Sequence, residues 1–441
     1  MTESIPSLLD GQAPPSDLDD PVQGDLVELT VGAVAHGGHC VGRIGGPGGR
    51  VVFVRHSLPG ERVVAEVTEV HRAYLRADAV DILAASAERV EPPCPYARPG
   101  RCGGCDLQHV AVPEQLRWKA AVVCEQLRRL AGLTAEQVEA LGVRVEPLPG
   151  GPLGWRSRVR YAVDAAGRAG LLKHRSHEVV PIDRCRIAHP ALQELPVTAR
   201  SWPHADAVEV VASSGGDVTV ISRAGGADSV RGEEFGGLHV EGSPRVLLEG
   251  PAEVRERAAG RDWAVPVQGF WQVHPAAADT LADAVLTLLD PQPGESAWDL
   301  YGGAGIFAAV LAARTGPGTR TTLVESAAVG VAAARANLAD LPGVEVVHAK
   351  VENALARRRV TGPVDLVVLD PPRSGAGARV VQSIVAAGPR AVAYVACDPA
   401  ALARDVATFT GLGWRLARLK AFDCFPMTQH VECVALLVPA S

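Results

Sequence analysis

The chain has 441 residues, enough for two or three domains with cores of their own. Its 50 acidic and 43 basic residues give a net charge of −7, but seven of the acids lie in residues 1–30, which hold no Lys or Arg, so the remainder is balanced. No apolar run is long enough to cross a bilayer, and the first residues lack the basic flank and apolar core of a secretion signal, so a cytoplasmic protein is expected.

Residues 1–22 are acidic, rich in Pro, Ser and Asp, and expected to be disordered. Residues 23–84 change character. Val27–Val34, Arg50–Val54 and Arg62–Val70 are β-branched and partly alternating, with Gly-rich turns between them, which predicts a small OB-like β-barrel. A central α+β domain is expected over residues 85–270. It opens on Cys94, Cys102 and Cys105 in a Pro/Gly-rich loop, followed by a helical stretch over 114–131. In a long chain of this kind, thiols at such spacing point to metal ligands or catalysts rather than to disulfides. With Cys185 as a fourth ligand the set suits zinc or an iron–sulfur cluster, and spacing does not separate the two. Further on, Arg156, Arg158 and Arg160 alternate, which would put three guanidiniums on one face of a strand, as phosphate contacts require. Trp155 and Tyr161 flank them, placed either to stack on bases or to fill a core.

Residues 271–441 adopt a βαβ pattern, with strands at Ser296–Tyr301, Arg320–Glu325, Val344–His348, Val364–Asp370, Ala391–Cys397, Ala417–Asp423 and Val434–Val438. This predicts a doubly wound, Rossmann-like α/β domain with ligands at the carboxyl ends of its strands. The first strand ends in Asp299-Leu300-Tyr301-Gly302-Gly303-Ala304-Gly305 and the second in Glu325, a carboxylate placed to accept hydrogen bonds from ribose hydroxyls. Asp299 before the glycines suits no pyrophosphate but suits a cationic amino-acid end, which favours S-adenosylmethionine over NAD or FAD. Asp370-Pro371-Pro372-Arg373, Val395-Ala396-Cys397-Asp398-Pro399 and Phe425-Pro426-Met427-Thr428-Gln429-His430-Val431-Glu432 follow later strands at the same edge. A thiol and carboxylates so placed suit methylation of uracil carbon 5. Thiolate addition at carbon 6 makes carbon 5 nucleophilic, and a carboxylate must then remove the carbon-5 proton.

In this order the four motifs closely resemble those of the RNA uracil-5-methyltransferase family across residues 270–435. The resemblance implies methyl transfer from S-adenosylmethionine to carbon 5 of a uridine in RNA, with Cys397 as nucleophile and Glu432 as base. It maps the cofactor contacts onto Gln272, Tyr301, Glu325 and Asp370. The Cys-Gly-Gly-Cys-x2-Gln-His pattern resembles the branch carrying a [4Fe–4S] cluster, which would make Cys94, Cys102, Cys105 and Cys185 its ligands, and residues 23–84 resemble the RNA-binding TRAM barrel of that branch. That architecture favours 23S ribosomal RNA as substrate and a monomeric enzyme. Two alternatives stand beside it, the same chemistry on a tRNA uridine and a non-catalytic RNA-binding assembly factor. Three positions depart from the family pattern, with Gly302 for Cys, His274 for Asn and Asp398 for Asn. Asp398 matters most, because a charge beside the thiol opposes its ionisation unless Arg373 or Arg404 compensates.

Overall fold

Alternating burial along five strands closes a barrel at the start of the chain: β1 (Leu26–Ala35), β2 (His39–Ile44), β3 (Arg50–Arg55), β4 (Arg62–Val70) and β5 (Tyr74–Ala84), in the order β1-β2-β3-β5-β4. Val52, Val54, Val63, Ala65, Leu75 and Ala77 point inward and are buried, while the residues between them are more exposed. This is a computed structural model, and it describes residues 21–224 and 245–440. Most of the acidic segment, with its expected disorder, lies outside them.

The cysteine loop follows the barrel and leads into α1 (Val112–Arg129), α2 (Ala135–Ala140) and β6 (Val145–Pro147). Two faces of α1 are apolar, and each has a different neighbour. Trp118 and Val122 extend the barrel core, whereas Val123 and Leu127 join the core of the C-terminal sheet. One helix thereby fixes the barrel against the α/β unit.

A central six-stranded antiparallel sheet comes next: β7 (Arg158–Val163), β8 (Ala169–Leu172), β9 (Val179–Pro181), then after the short α3 (Pro190–Gln193) β10 (Ala205–Ala212), β11 (Val218–Ala224) and β12 (Arg245–Glu249). Trp155 and Tyr161 are buried in its core. The guanidinium of Arg158 is withdrawn from RNA, since it donates to the carbonyls of Val267 (2.7 Å) and Gly269 (2.8 Å). The expected strand face of three arginines is not formed: Arg156 lies before β7, and Arg158 pins the chain leading to Gln272. A hairpin, β13 (Glu253–Ala258) and β14 (Arg261–Pro266), completes this region.

The C-terminal unit is α4 (Ala277–Leu289), β15 (Ala297–Leu300), α5 (Ile306–Thr315), β16 (Thr321–Glu325), α6 (Ala328–Asn337), β17 (Val344–His348), α7 (Val351–Ala356), β18 (Leu366–Leu369), α8 (Ala378–Ala387), β19 (Ala391–Ala396), α9 (Pro399–Gly411), β20 (Trp414–Asp423) and β21 (Glu432–Pro439). Its sheet runs β17-β16-β15-β18-β19-β21-β20-β6. The first five are parallel, and β16, β15, β18 and β19 are buried on both faces, as crossover helices demand, while the edge strand β17 exposes Glu345 and His348. β21 enters between β19 and β20 and runs antiparallel to both. That reversal brings the start of β21 to the sheet edge where β15, β16, β18 and β19 end. No helix among the described residues is long and apolar enough to cross a membrane.

Candidate active site

A cavity of about 1020 Å³ opens at that edge, and Gln272, Tyr301, Glu325, Asp370, Cys397 and Glu432 all line it. The structure thus brings together every residue expected to react or to hold the methyl donor. Cys397 and Glu432 meet because of strand register. Ala396 pairs with Cys433 across β19 and β21, so Cys397 leaves β19 opposite Glu432, the first residue of β21.

Electrostatics in the cavity are set by burial. Glu432 is 2% exposed, and burial followed by the charge of Asp370 raises its pKa well above the usual carboxylate range, with Arg373 opposing. Burial also raises Asp370. Two neighbouring carboxyls resist losing both protons. The Cys397 thiol is pushed up to about 11, first by burial, then by the charges of Glu432 and Asp370; Arg373 lowers it, and Asp398 adds a smaller upward push. A proton kept on the carboxyl pair removes part of that repulsion, which makes the thiolate easier to form than full ionisation around it would allow.

The methyl-donor end of the cavity is built from turns. Gly303 has φ +53° with open space where a Cβ would project, which leaves a cradle for a ligand close to the backbone. Tyr301 is also left-handed, at φ +65°, and its N–H and that of Gly302 both donate to Val324 O. Glu325 accepts from Gly303 N (3.0 Å) and Ala327 N (2.6 Å), and each oxygen keeps a lone pair for a hydroxyl. The donor set therefore fits S-adenosylmethionine, with Glu325 for ribose and Gln272, Tyr301 and Asp370 around a smaller pocket of about 50 Å³. Asp299 does not line either pocket. It is fully buried, accepts from Ala308 N (2.8 Å) and so ties the end of β15 to α5.

Each departure from the family pattern has a local partner. A Cβ on Gly302 would lie 2.5 Å from Leu323 Cγ and 3.0 Å from Asp299 Oδ2, so Leu323 fills the space that a cysteine would need. His274 is buried, stacked on Trp155 at 5.9 Å, and accepts from Ala276 N through Nδ1. Asp398 caps α9 by accepting from Ala401 N (2.7 Å), and its other oxygen lies 3.2 Å from Nε2 of His36. Of the two arginines considered as compensators, Arg373 acts on Cys397 and Arg404 on Asp398. His36 was not legible as a member of this site, since nothing in the sequence says where a barrel turn docks.

Cys94, Cys102, Cys105 and Cys185 line a second cavity of about 630 Å³ together with Arg156, Arg160, Lys173 and Arg175. All four are free thiols. Among the described residues, no group of three or more His, Cys, Asp or Glu is arranged to hold a metal ion. The two cavities are neighbours, sharing Gly103, Gly104, Arg156, His174 and Arg175.

Comparison with known proteins agrees with this geometry. The family model of the TRAM domain matches residues 22–80, that of the Methyltransferase small domain residues 275–394, and that of tRNA (Uracil-5-)-methyltransferase residues 358–439. A Streptomyces avermitilis protein described as an uncharacterized RNA methyltransferase is 49% identical, covering 95% of this chain and 99% of its own. A Bifidobacterium longum protein with the same description is 36% identical, covering 93% and 96%. Among solved structures, Pyrococcus abyssi tRNA (uracil-54, C5)-methyltransferase in complex with S-adenosyl-L-homocysteine shares the fold, with a TM-score of 0.66 over 93% of this chain and 100% of that one at 23% identity. Sequence kinship over nearly the whole length, a TRAM barrel and the four-motif sheet edge converge, and the chain belongs to the RNA uracil-5-methyltransferase family as an S-adenosylmethionine-dependent enzyme acting on RNA.

Proposed function

We propose that this enzyme methylates carbon 5 of a uridine in 23S ribosomal RNA through a covalent bond between Cys397 and carbon 6. The observation that carries the reading is the convergence of Cys397 and Glu432 on one cavity with Gln272, Tyr301, Glu325 and Asp370. S-adenosylmethionine supplies a methyl group on a sulfonium. The chain supplies the rest. The Cys397 thiolate adds to carbon 6 and shifts the ring's π electrons to carbon 5 and O4, making carbon 5 the nucleophile. Arg373 stabilises the thiolate. Once methylated, carbon 5 still carries a proton. Glu432 removes it, the electrons reform the double bond, and the thiolate leaves. The target base must leave its stack to reach a recessed thiol, so it is flipped or already looped out.

Cys94, Cys102, Cys105 and Cys185 are read as ligands of a structural [4Fe–4S] cluster. Four soft donors line one cavity, and Arg156, Arg160, Lys173, Arg175, Arg184 and Arg186 on the same lining would offset the cluster's negative charge. Zinc is the lesser alternative. Nine free cysteines suit a reducing cytoplasm, where the enzyme would act as a monomer.

The ribosomal substrate rests on the pairing of TRAM barrel and cysteine loop. The tRNA reading is favoured by the match of residues 358–439 to the tRNA (Uracil-5-)-methyltransferase model. Mapping 5-methyluridine by mass spectrometry in ribosomal and transfer RNA from a strain lacking the protein separates them. Loss at a 23S position supports the proposal, and loss confined to tRNA overturns its substrate while keeping the chemistry.

A further inference from the structure

The barrel reaches into the catalytic centre through one turn. His36 stands between β1 and β2 and lines the reaction cavity with Gly37, Cys397 and Arg373. The turn is delivered by two left-handed glycines, Gly37 (φ +99°) and Gly38 (φ +75°). It is pressed close: a Cβ on Gly38 would lie 2.8 Å from Asp106 Cβ and 3.2 Å from Gln429 Cβ, so only glycine lets the turn sit between the cysteine loop and the segment leading to Glu432. From there His36 Nε2 meets Asp398 Oδ2 at 3.2 Å, while Asp398 Oδ1 holds the N-terminus of α9 at Ala401 N.

We propose that His36 is a positioning residue of the methylation reaction: it fixes and satisfies the Asp398 carboxylate, so that the negative charge next to Cys397 stays in the helix cap and does not oppose the thiolate. The proposal rests on the reading of Cys397 as nucleophile. Asparagine at 398 would cap α9 equally well and need no partner, whereas aspartate brings a charge that must be held. The groups facing Asp398 are His36, Arg404, His430, Cys397 and Cys433. Those facing Cys397 are Glu432, Asp370, Arg373 and Asp398. Without His36, the carboxylate keeps the Ala401 N–H and the charge of Arg404, and the oxygen that met His36 loses its partner.

The test measures thiol reactivity in the full-length enzyme without RNA, following iodoacetamide labelling of the Cys397 peptide by mass spectrometry across pH. His36→Asn is expected to slow labelling near neutrality about three- to tenfold and to move its pH profile upward. Asp398→Asn in the His36→Asn background is expected to restore both, because the unheld charge is gone. A His36→Asn profile identical to that of the parent, or a double variant as slow as the single one, overturns the proposal. A contact of His36 with RNA alone would raise KM for RNA and leave labelling unmoved, which is also an overturning result. Labelling reports on the thiol whatever its role, so failure of the nucleophile reading shows separately, as methylation surviving in Cys397→Ala.

Discussion

At the scale of single residues, the active site is a problem of protons. Burial raises the Cys397 thiol and the Glu432 carboxyl together, yet the proposed reaction needs the first as thiolate and later the second as carboxylate. Because the thiol is pushed up to about 11, its alkylation in the free enzyme should still be climbing at about pH 10, where an ordinary thiol has levelled off; a midpoint near about pH 8.5 would show that the cavity does not raise it. Cys397→Ala should reduce methylation by about a thousandfold or more and abolish the RNA adduct, read as a band that survives denaturation. Glu432→Gln keeps the side chain's size but cannot take a proton, so the adduct should form and accumulate while turnover falls about 10²- to 10⁴-fold. Normal turnover in that variant would exclude Glu432 as the base. The residues proposed to react could be named from the sequence because their chemistry requires rare types at strand ends, and the fold brings them to one cavity. Their controls could not be. Arg158 alternates as a phosphate reader should, but spends its guanidinium on two carbonyls, and His36 lies far from Asp398 in sequence.

At the scale of elements, strand positions followed from apolar runs, but strand direction did not. Nothing in Val434–Val438 says that this segment enters antiparallel between β19 and β20, and that insertion is what faces Glu432 toward Cys397. The loop before β21 must then be held. Lys119 of α1, itself buried, reaches Asp423 at the end of β20 (2.5 Å) and the carbonyl of Phe425 (3.1 Å). Gln115, one turn earlier, donates to Val110 O and accepts from Met427 N. These contacts make α1 the clamp of the Phe425–His430 segment. Lys119→Met leaves Asp423 buried and uncompensated and should cost about 3–5 kcal/mol by denaturant titration. Adding Asp423→Asn should recover part of that loss; a cost below about 1 kcal/mol for the single change would mean that water or another cation already serves Asp423.

At the scale of the molecule, the cysteine loop, the barrel and the catalytic segment meet at Asp106. Its carboxylate takes Arg55 of β3 through one oxygen (3.3 Å) and Gln429 N through the other (3.2 Å), and the backbone N–H groups of Asp106 and Leu107 both donate to Met427 O. Asp106 follows Cys105 directly, so whatever holds the four thiols also holds the strap that shapes the approach to Glu432. The cysteine loop is therefore expected to serve the reaction through geometry and not through electrons. Replacing Cys105 by Ser should remove the visible absorption of an iron–sulfur cluster in anaerobically purified protein. It should also speed hydrogen exchange at the amides of Asp106, Leu107 and Gln429 by about tenfold or more, since their acceptors would no longer be fixed. Methylation should fall with that loosening, while exchange in the barrel strands away from Arg55 stays unchanged. A variant that loses the absorption but keeps both exchange protection and turnover would separate the cluster from the catalytic strap and give it a task elsewhere, on the basic wall formed by Arg156, Arg160, Lys173 and Arg175.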